Sequence, residues 1–331
     1  MQKISRRTVA KGLAAAAALW PLARPALAQG SNFPNGVGTI KLVVPYPAGG
    51  ATDVIGRIVA DRLSALWHAS VIVENIAGAA ANIGMDRVAK GPTDGSTLFI
   101  VPPQIAINQY LYAKLAFDPE KDFVPIAQVA NLPNILVVKK QLTEVKTVKD
   151  LIDYAKANPG KLNFASSGSG TTIHLSGELF KSMTGIEMNH IPYRGSAPAM
   201  NDLVGGQVDL MFDNAPSVIG QVRGNTVNAL GVTTLKPTPL LPELKPVADT
   251  VAGYDTASWF GIGVRAGVSN EIIAKIEETA RTIGGEAVVK ERMASVIADP
   301  VVSDRKTFGE FIQAERQKWG PLINKLGLRV E

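Results

Sequence analysis

The chain of 331 residues has no cysteine, only three histidines, and just 6% aromatic residues. The absence of cysteine excludes a disulfide framework, a thiolate nucleophile and any zinc or iron–sulfur site that needs sulfur ligands. His68, His174 and His190 offer little for a histidine cluster, so no metal or organic cofactor is implied. There is no Walker A run, no HExxH and no GxSxG elbow, and Gly168-Ser169-Gly170 lacks the third glycine of a dinucleotide fingerprint. Beyond the N-terminus no segment is apolar over the roughly 20 residues that a membrane helix needs. Net charge is also scarce once it is located. The formal +5 comes entirely from Lys3, Arg6, Arg7, Lys11 and Arg24, and residues 29–331 carry 29 basic and 29 acidic side chains. That balance removes the reason to expect a nucleic-acid partner.

Residues 1–28 read as an export leader: a basic start, the apolar run from Leu13 to Leu19, and Ala26-Leu27-Ala28 as a cleavage site before Gln29. The apolar run is too short to span a bilayer. Ser5-Arg6-Arg7-Thr8-Val9-Ala10-Lys11 is similar to a twin-arginine signal, with an ordinary secretory signal as the alternative. Either route predicts an extracytoplasmic protein, free in the periplasm of a Gram-negative cell.

Past the leader, short β-branched runs alternate with helical patterns, the mark of an α/β protein with mostly parallel sheets. Strands are expected at Ile40–Val44, Val71–Glu74, Thr97–Val101, Ile135–Val138, Leu162–Ala165, Met188–Ile191, Val208–Phe212, Asn228–Thr233 and Trp259–Val264. A helix over Asp53–Leu66 puts Ile55, Ile58, Val59, Leu63 and Leu66 on one face. Thr147 with Asp150 predicts a capping box, and Thr307 with Glu310 opens a last helix that Pro321 would kink. The rhythm restarts after residue 130 and near Trp259, so two lobes are expected, one from 29–130 plus 257–331 and one from 131–256.

Two glycine-rich turns carry most of the functional signal. Pro45-Tyr46-Pro47-Ala48-Gly49-Gly50-Ala51-Thr52-Asp53 joins a strand to a helix, and so does Ser166-Ser167-Gly168-Ser169-Gly170-Thr171-Thr172. Such turns present unpaired amides at a helix start, where the dipole favours negative charge. One such turn alone reads equally as a tight connection with a capping side chain. A pair at the carboxyl ends of strands in different lobes suits an anion held from both sides. Gly78-Ala79-Ala80-Ala81-Asn82-Ile83-Gly84 could line the same cleft. His68 reads as a surface residue and His190 as structural, whereas His174 stands in the first helical turn behind the second loop. A Ser–His hydrolase with Ser167 or Ser169 as nucleophile and Asp213 as the orienting acid is the rival from another class.

Seven stretches in fixed order resemble the Bug/TctC family, the periplasmic substrate-binding components of tripartite tricarboxylate transporters. They are Val43–Asp53, Asn75–Gly84, Leu111–Ile126, Phe164–Leu175, Ile191–Pro198, Asp202–Asn214 and Glu310–Leu328 with its Glu315 and Trp319. The resemblance implies a two-lobed, type II periplasmic-binding-protein fold, a monomer without catalysis, that closes on a small organic carboxylate and hands it to a membrane permease. It nominates Tyr46, Pro47, Ala48, Gly49, Gly50, Thr52 and Asp53 in one lobe. In the other it nominates Ser166, Ser167, Gly168, Ser169, Gly170, Thr171 and His174, with Asp213 near the hinge. Two departures single out Ala81, in a turn where relatives have glycines, and Gln104 in Pro102-Pro103-Gln104, a distal polar contact or a solvent-facing residue. Arg194 reads as a carboxylate fork or as a surface or hinge charge. A receptor serving a signalling sensor rather than a transporter stays open.

Overall fold

Residues 33–330 are described by a computed structural model, and the expected leader over 1–28 lies outside them. The first strand, β1 (Ile40–Val44), is buried on both faces and feeds α1 (Ala51–Trp67), whose Ile55, Ile58, Val59 and Leu63 pack on the sheet as their spacing predicts. The pattern continues through β2 (Val71–Asn75), α2 (Asn82–Ala89), β3 (Thr97–Val101) and α3 (Gln104–Leu111). A long strand, β4 (Phe123–Lys139), then leads to α4 (Val148–Ala157), β5 (Leu162–Ser166), α5 (Thr172–Thr184), β6 (Met188–Pro192), α6 (Ser196–Val204), β7 (Leu210–Asn214), α7 (Ala215–Arg223) and β8 (Val227–Val232). The chain closes with β9 (Ala257–Arg265), α8 (Asn270–Gly285), α9 (Ala287–Ser295), the short β10 (Asp299–Pro300) and α10 (Arg305–Lys325).

Among the described residues the strands form one mixed sheet in the order β2-β1-β3-β9-β4-β7-β5-β6, with β8 and β10 also on β4. The outer pairs β1–β2, β1–β3, β5–β6 and β5–β7 are parallel, as the alternation of strand and helix requires. The centre is antiparallel. Residues 123–133 of β4 pair with β9, and residues 134–139 pair with β7 and β8. The register slips between Pro125 and Ala127 and again between Gln128 and Ala130. One strand thus belongs to both halves, and each half has its own apolar clusters on the two faces of its part of the sheet. A smaller cluster joins them, where Leu175 of α5 meets Ile107 and Leu111 of α3 and Trp319 and Ile323 of α10.

Two helix starts test the capping signals. Thr147 and Asp150 form the expected reciprocal box. The last helix opens earlier than expected: Asp304 caps it by accepting from the Thr307 amide at 2.7 Å, so Thr307 supplies the donor of the cap and not its acceptor. Pro321 lies inside that helix, which continues to Lys325. Glu315 on the same helix is structural, accepting from the indole N–H groups of Trp259 and Trp319 at 2.9 and 3.0 Å. No helix among the described residues is long and apolar enough to cross a membrane.

Candidate functional site

The loop after β1 is fastened by its own downstream helix. Gly49, at φ +84°, donates its N–H to Asp53 Oδ2 at 3.0 Å. The same carboxylate takes Arg57 and the Asn75 amide, each at 3.0 Å, and the other hydrogen of that amide group reaches the Tyr46 carbonyl. Burial alone would raise the Asp53 pKa, but the hydrogen bonds from Arg57, Gly49 and Asn75 outweigh it and hold the group below the usual carboxylate range.

The loop after β5 is fastened the same way by a different group. Gly170, at φ +85°, donates its N–H to His174 Nδ1 at 3.1 Å. A ring nitrogen that accepts must be unprotonated, so His174 is neutral here. Burial first, then His190 and Lys181, push its pKa down to about 3. The His174 ring stacks on His190 at 3.9 Å between centroids, and His190 contacts buried Ser166 at 2.6 Å. Two of the three histidines therefore meet, yet among the described residues no cluster of His, Asp or Glu could hold a metal. His68 is exposed at the end of α1, as expected. Ser166 and Thr171 both donate to the Gly168 carbonyl, and Thr171 also caps α5 by accepting from the His174 amide. No hydrogen bond joins Ser167 or Ser169 to His174 among the described residues, so the constellation a Ser–His hydrolase needs is not assembled.

Between the two loops lies a cavity of about 40 Å³. Space for one water is roughly 10–15 Å³, so about three waters, or one carboxylate head, would fill it. Five helix starts face it. They are α1 through Gly50, Ala51 and Thr52, α3 through Pro103 and Gln104, α5 through Thr171, Thr172 and Ile173, α6 through Gly195 to Pro198, and α7 through Asn214. Only the α5 start is capped by the side chain of its own N-cap residue, and the Ala51 amide that opens α1 donates to Ser217 Oγ of α7 at 2.9 Å. First-turn amides have no partner within their helix, and each such terminus favours an anion by about 0.3–1 kcal/mol, up to about 2 where partly buried. No charged side chain lines the cavity among the described residues. It can hold an anion through neutral dipoles alone, without the desolvation cost of a buried ion pair.

Of the residues expected here, Tyr46, Pro47, Ala48, Gly50, Thr52, Gln104, Ser167 and Thr171 line this cavity. Gln104 is buried and not solvent-facing. Its Nε2 donates to the Gly170 carbonyl at 3.2 Å, which fixes the amide orientation and leaves Oε1 buried with no partner. Ala81, Gly168 and Ser169 line an adjoining cavity. Gly49, Asp53, Ser166, Gly170, His174 and Asp213 line neither. Asp53 and His174 are turned back to hold their loops because each has a nearer donor to satisfy. Asp213 is wholly buried at the end of β7, where desolvation pushes its pKa up to about 7 against hydrogen bonds from Ser196 Oγ and the Asn214 amide.

Sequence reasoning missed the contributions of α6 and α7 and the floor. The Ile191–Pro198 motif was visible, and Gly195 followed by Pro198 in the next turn was the available sign of a helix start. The floor is a buried network in which Asn214 donates to Ser258 Oγ and Asn134 Oδ1 while Thr172 Oγ1 meets Ser258 Oγ. Ser258 comes from β9 and Asn134 from β4, so no local pattern could join them.

A family model described as tripartite tricarboxylate transporter family receptor matches residues 55–328. A Pseudomonas sp. (strain P51) protein from the tcbD-tcbE intergenic region is 35% identical over 287 residues, 86% of this chain and 85% of that protein. The structure of R. palustris Rpa4515 with adipate superposes with a TM-score of 0.87 at 36% identity, covering 90% of this chain and all of that one. MatC from Rhodopseudomonas palustris with bound malate has a TM-score of 0.78 at 25% identity, covering 87% and 99%.

Proposed function

Because the chain belongs to the tripartite tricarboxylate transporter receptor family, we propose that it is the extracytoplasmic binding component that captures a small organic carboxylate between two lobes and delivers it to the family's membrane permease. The observation that carries this reading is the meeting of five helix starts on a cavity without a charged side chain. The adipate bound in Rpa4515 and the malate bound in MatC support a carboxylate as ligand. On this reading residues 1–28 are cleaved in the periplasm, 29–130 with 257–331 form one lobe and 131–256 the other, and β4 and β9 form the hinge. The carboxylate sits against the first turns of α1 and α5, with Ser167 Oγ as a donor and Gly49, Asp53, Gly170 and His174 setting the loop shapes. Ligand shifts an open–closed equilibrium by its greater affinity for the closed form, which is the shape the permease recognises.

The test is a thermal-shift screen of residues 29–331 against aliphatic and aromatic carboxylates, each beside its amide. A ligand at about 100 times its Kd adds roughly 2.7 kcal/mol of apparent stability. A shift with an acid and none with its amide is the expected result. Equal shifts with both would remove the anion site, and steady consumption of a ligand during incubation would replace the receptor by an enzyme.

A further inference from the structure

Successive residues of β9 point to opposite faces of the sheet. Ser258 and Phe260 reach the cavity between the glycine loops, while Ala257 and Trp259 reach a separate cavity of about 330 Å³ on the other face. That volume is enough for a small organic molecule. Its far side is formed by Phe311, Glu315 and Lys318 of α10 and by the segment 234–239 after β8. Asp299 of β10 and Trp259 of β9 pair with the same residue of β4, Asn131, from its two edges. Residues paired in this way share a face of the sheet, so the Asp299 carboxylate and the Trp259 indole flank Asn131 over this one cavity.

The charges on this wall do not all satisfy one another. Asp255 is occupied, taking the Leu235 amide at 3.1 Å and facing Lys318 at 3.7 Å. Glu315 is only 9% exposed, and its two hydrogen bonds, from the indoles of Trp259 and Trp319, both fall on Oε2. Oε1 makes no hydrogen bond among the described residues and is not sealed from solvent, so it is left to the cavity. The Asp299 side chain makes no hydrogen bond or ion pair among them either; desolvation raises its pKa and no neighbouring cation offsets this. Lys236, the unpaired cation on the wall, is exposed, and its long stem lets the ammonium stand in water. Two carboxylates are thus free beside the rings of Trp259 and Phe311, which meet edge to face at 5.2 Å. Carboxylates beside aromatic faces recognise an organic cation. Pro133, Pro237 and Pro239 add apolar surface for its body.

We propose that this cavity is a second ligand site, on the opposite face of β9 from the carboxylate cleft, and that it takes a small primary organic ammonium, with the charged head between Glu315 Oε1 and Asp299 and the apolar body against the rings and prolines. The inference goes beyond the carboxylate reading above and does not depend on it.

The experiment is calorimetric titration of the protein with phenethylamine and with phenethyl alcohol, a neutral molecule of nearly the same shape, followed also by tryptophan fluorescence because Trp259 lines the site. The wild type should bind the amine about tenfold more tightly than the alcohol, since hydrogen bonds between charged groups outweigh neutral ones. Asp299 is exposed, so Asp299→Asn keeps the fold; it should weaken the amine by about fivefold and leave the alcohol unchanged. Glu315→Gln retains an acceptor for the two indoles and should weaken the amine by about as much or more. Lys236→Gln removes a like charge and should tighten the amine by about twofold. Amine and alcohol binding equally, unchanged amine affinity in Asp299→Asn, or no amine binding at millimolar concentration overturns the proposal. Each of these outcomes leaves the carboxylate cleft standing.

Discussion

The two loops that frame the cavity solve one geometric problem with opposite electrostatics. In each, a glycine near φ +85° donates its amide to the side chain four residues on, Gly49 to Asp53 and Gly170 to His174. Asp53 does this ionised, because Arg57 and Asn75 reach it from a partly solvated edge. His174 does it neutral, inside a pocket where a charge would meet His190 and Lys181. The pair teaches that the chemistry of a fastening group follows its surroundings, while the shape of the loop dictates only that an acceptor be present. It also separates two roles that sequence position alone confuses: a residue that holds a binding loop and a residue that touches what the loop binds.

The largest effect should come from removing the neutral fastener. His174→Ala deletes a buried ring and orphans the Gly170 amide, and should cost about 2–4 kcal/mol in denaturant unfolding. Asp53→Ala leaves the half-exposed Arg57 free to rehydrate and should cost less, about 1–3 kcal/mol. A reversed order would mean that the ionised loop is the stiffer of the two.

Acid titration sharpens the contrast with a smaller signal. The folded pKa values of His174 and His190 lie below their ordinary 6.5, at about 3 and 4, mainly through burial. The unfolded chain therefore takes up protons first, and stability falls as pH drops from about 6.5 toward 3. Asp53 is also depressed, so its contribution is present above the ordinary 3.8 and is lost only below it. Asp213, raised to about 7 by burial, has the opposite sign between its ordinary 3.8 and 7. Subtracting the pH–stability curve of His174→Gln from that of the wild type cancels Asp213 and should leave a slope that sets in near pH 6.5 and runs down to about 3. The same difference for Asp53→Asn should be flat above pH 4 and steep below it.

The third turn supplies the smallest and opposite effect. Ala79, Ala80 and Ala81 have φ of +46°, +45° and +73°, where a methyl group costs about 1–2 kcal/mol and glycine nothing. Ala80→Gly should raise the unfolding free energy by up to about 1 kcal/mol once the added freedom of glycine in the unfolded chain is set against the relief. Destabilisation by that change would mean that the alanine methyls pack too well to lose.

Most of the outer architecture was legible because it is local. β1, β3 and the Thr147–Asp150 box follow from residues within a few positions of one another. β4 was seen only as Ile135–Val138. Its other part carries Pro125, Asn131 and Pro133, residues unfavourable in a strand interior; the register beside β9 slips just after Pro125, whereas Asn131 and Pro133 pair in step with Trp259 and Ala257. The same limit applied to the site. Both glycine loops were plain, and so were the residue types, but Asp53 and His174 were grouped with the ligand contacts because nothing in the sequence shows which way a side chain turns. Asn214 and Ser258 meet only through tertiary structure.

The shared strand also sets an order of assembly. The core formed by β1, β3 and β9 needs residues from both ends of the chain, because β9 begins only at Ala257. The part of the sheet built on β5, β6, β7 and the second segment of β4 draws on one continuous stretch. A chain emerging N-terminus first can finish that stretch while β1 and β3 still wait for their neighbour. The part of the protein that is complete in sequence is thus the template on which the divided part closes, and the cavity, which needs Ser258 as well as Gly50, is the last thing to exist.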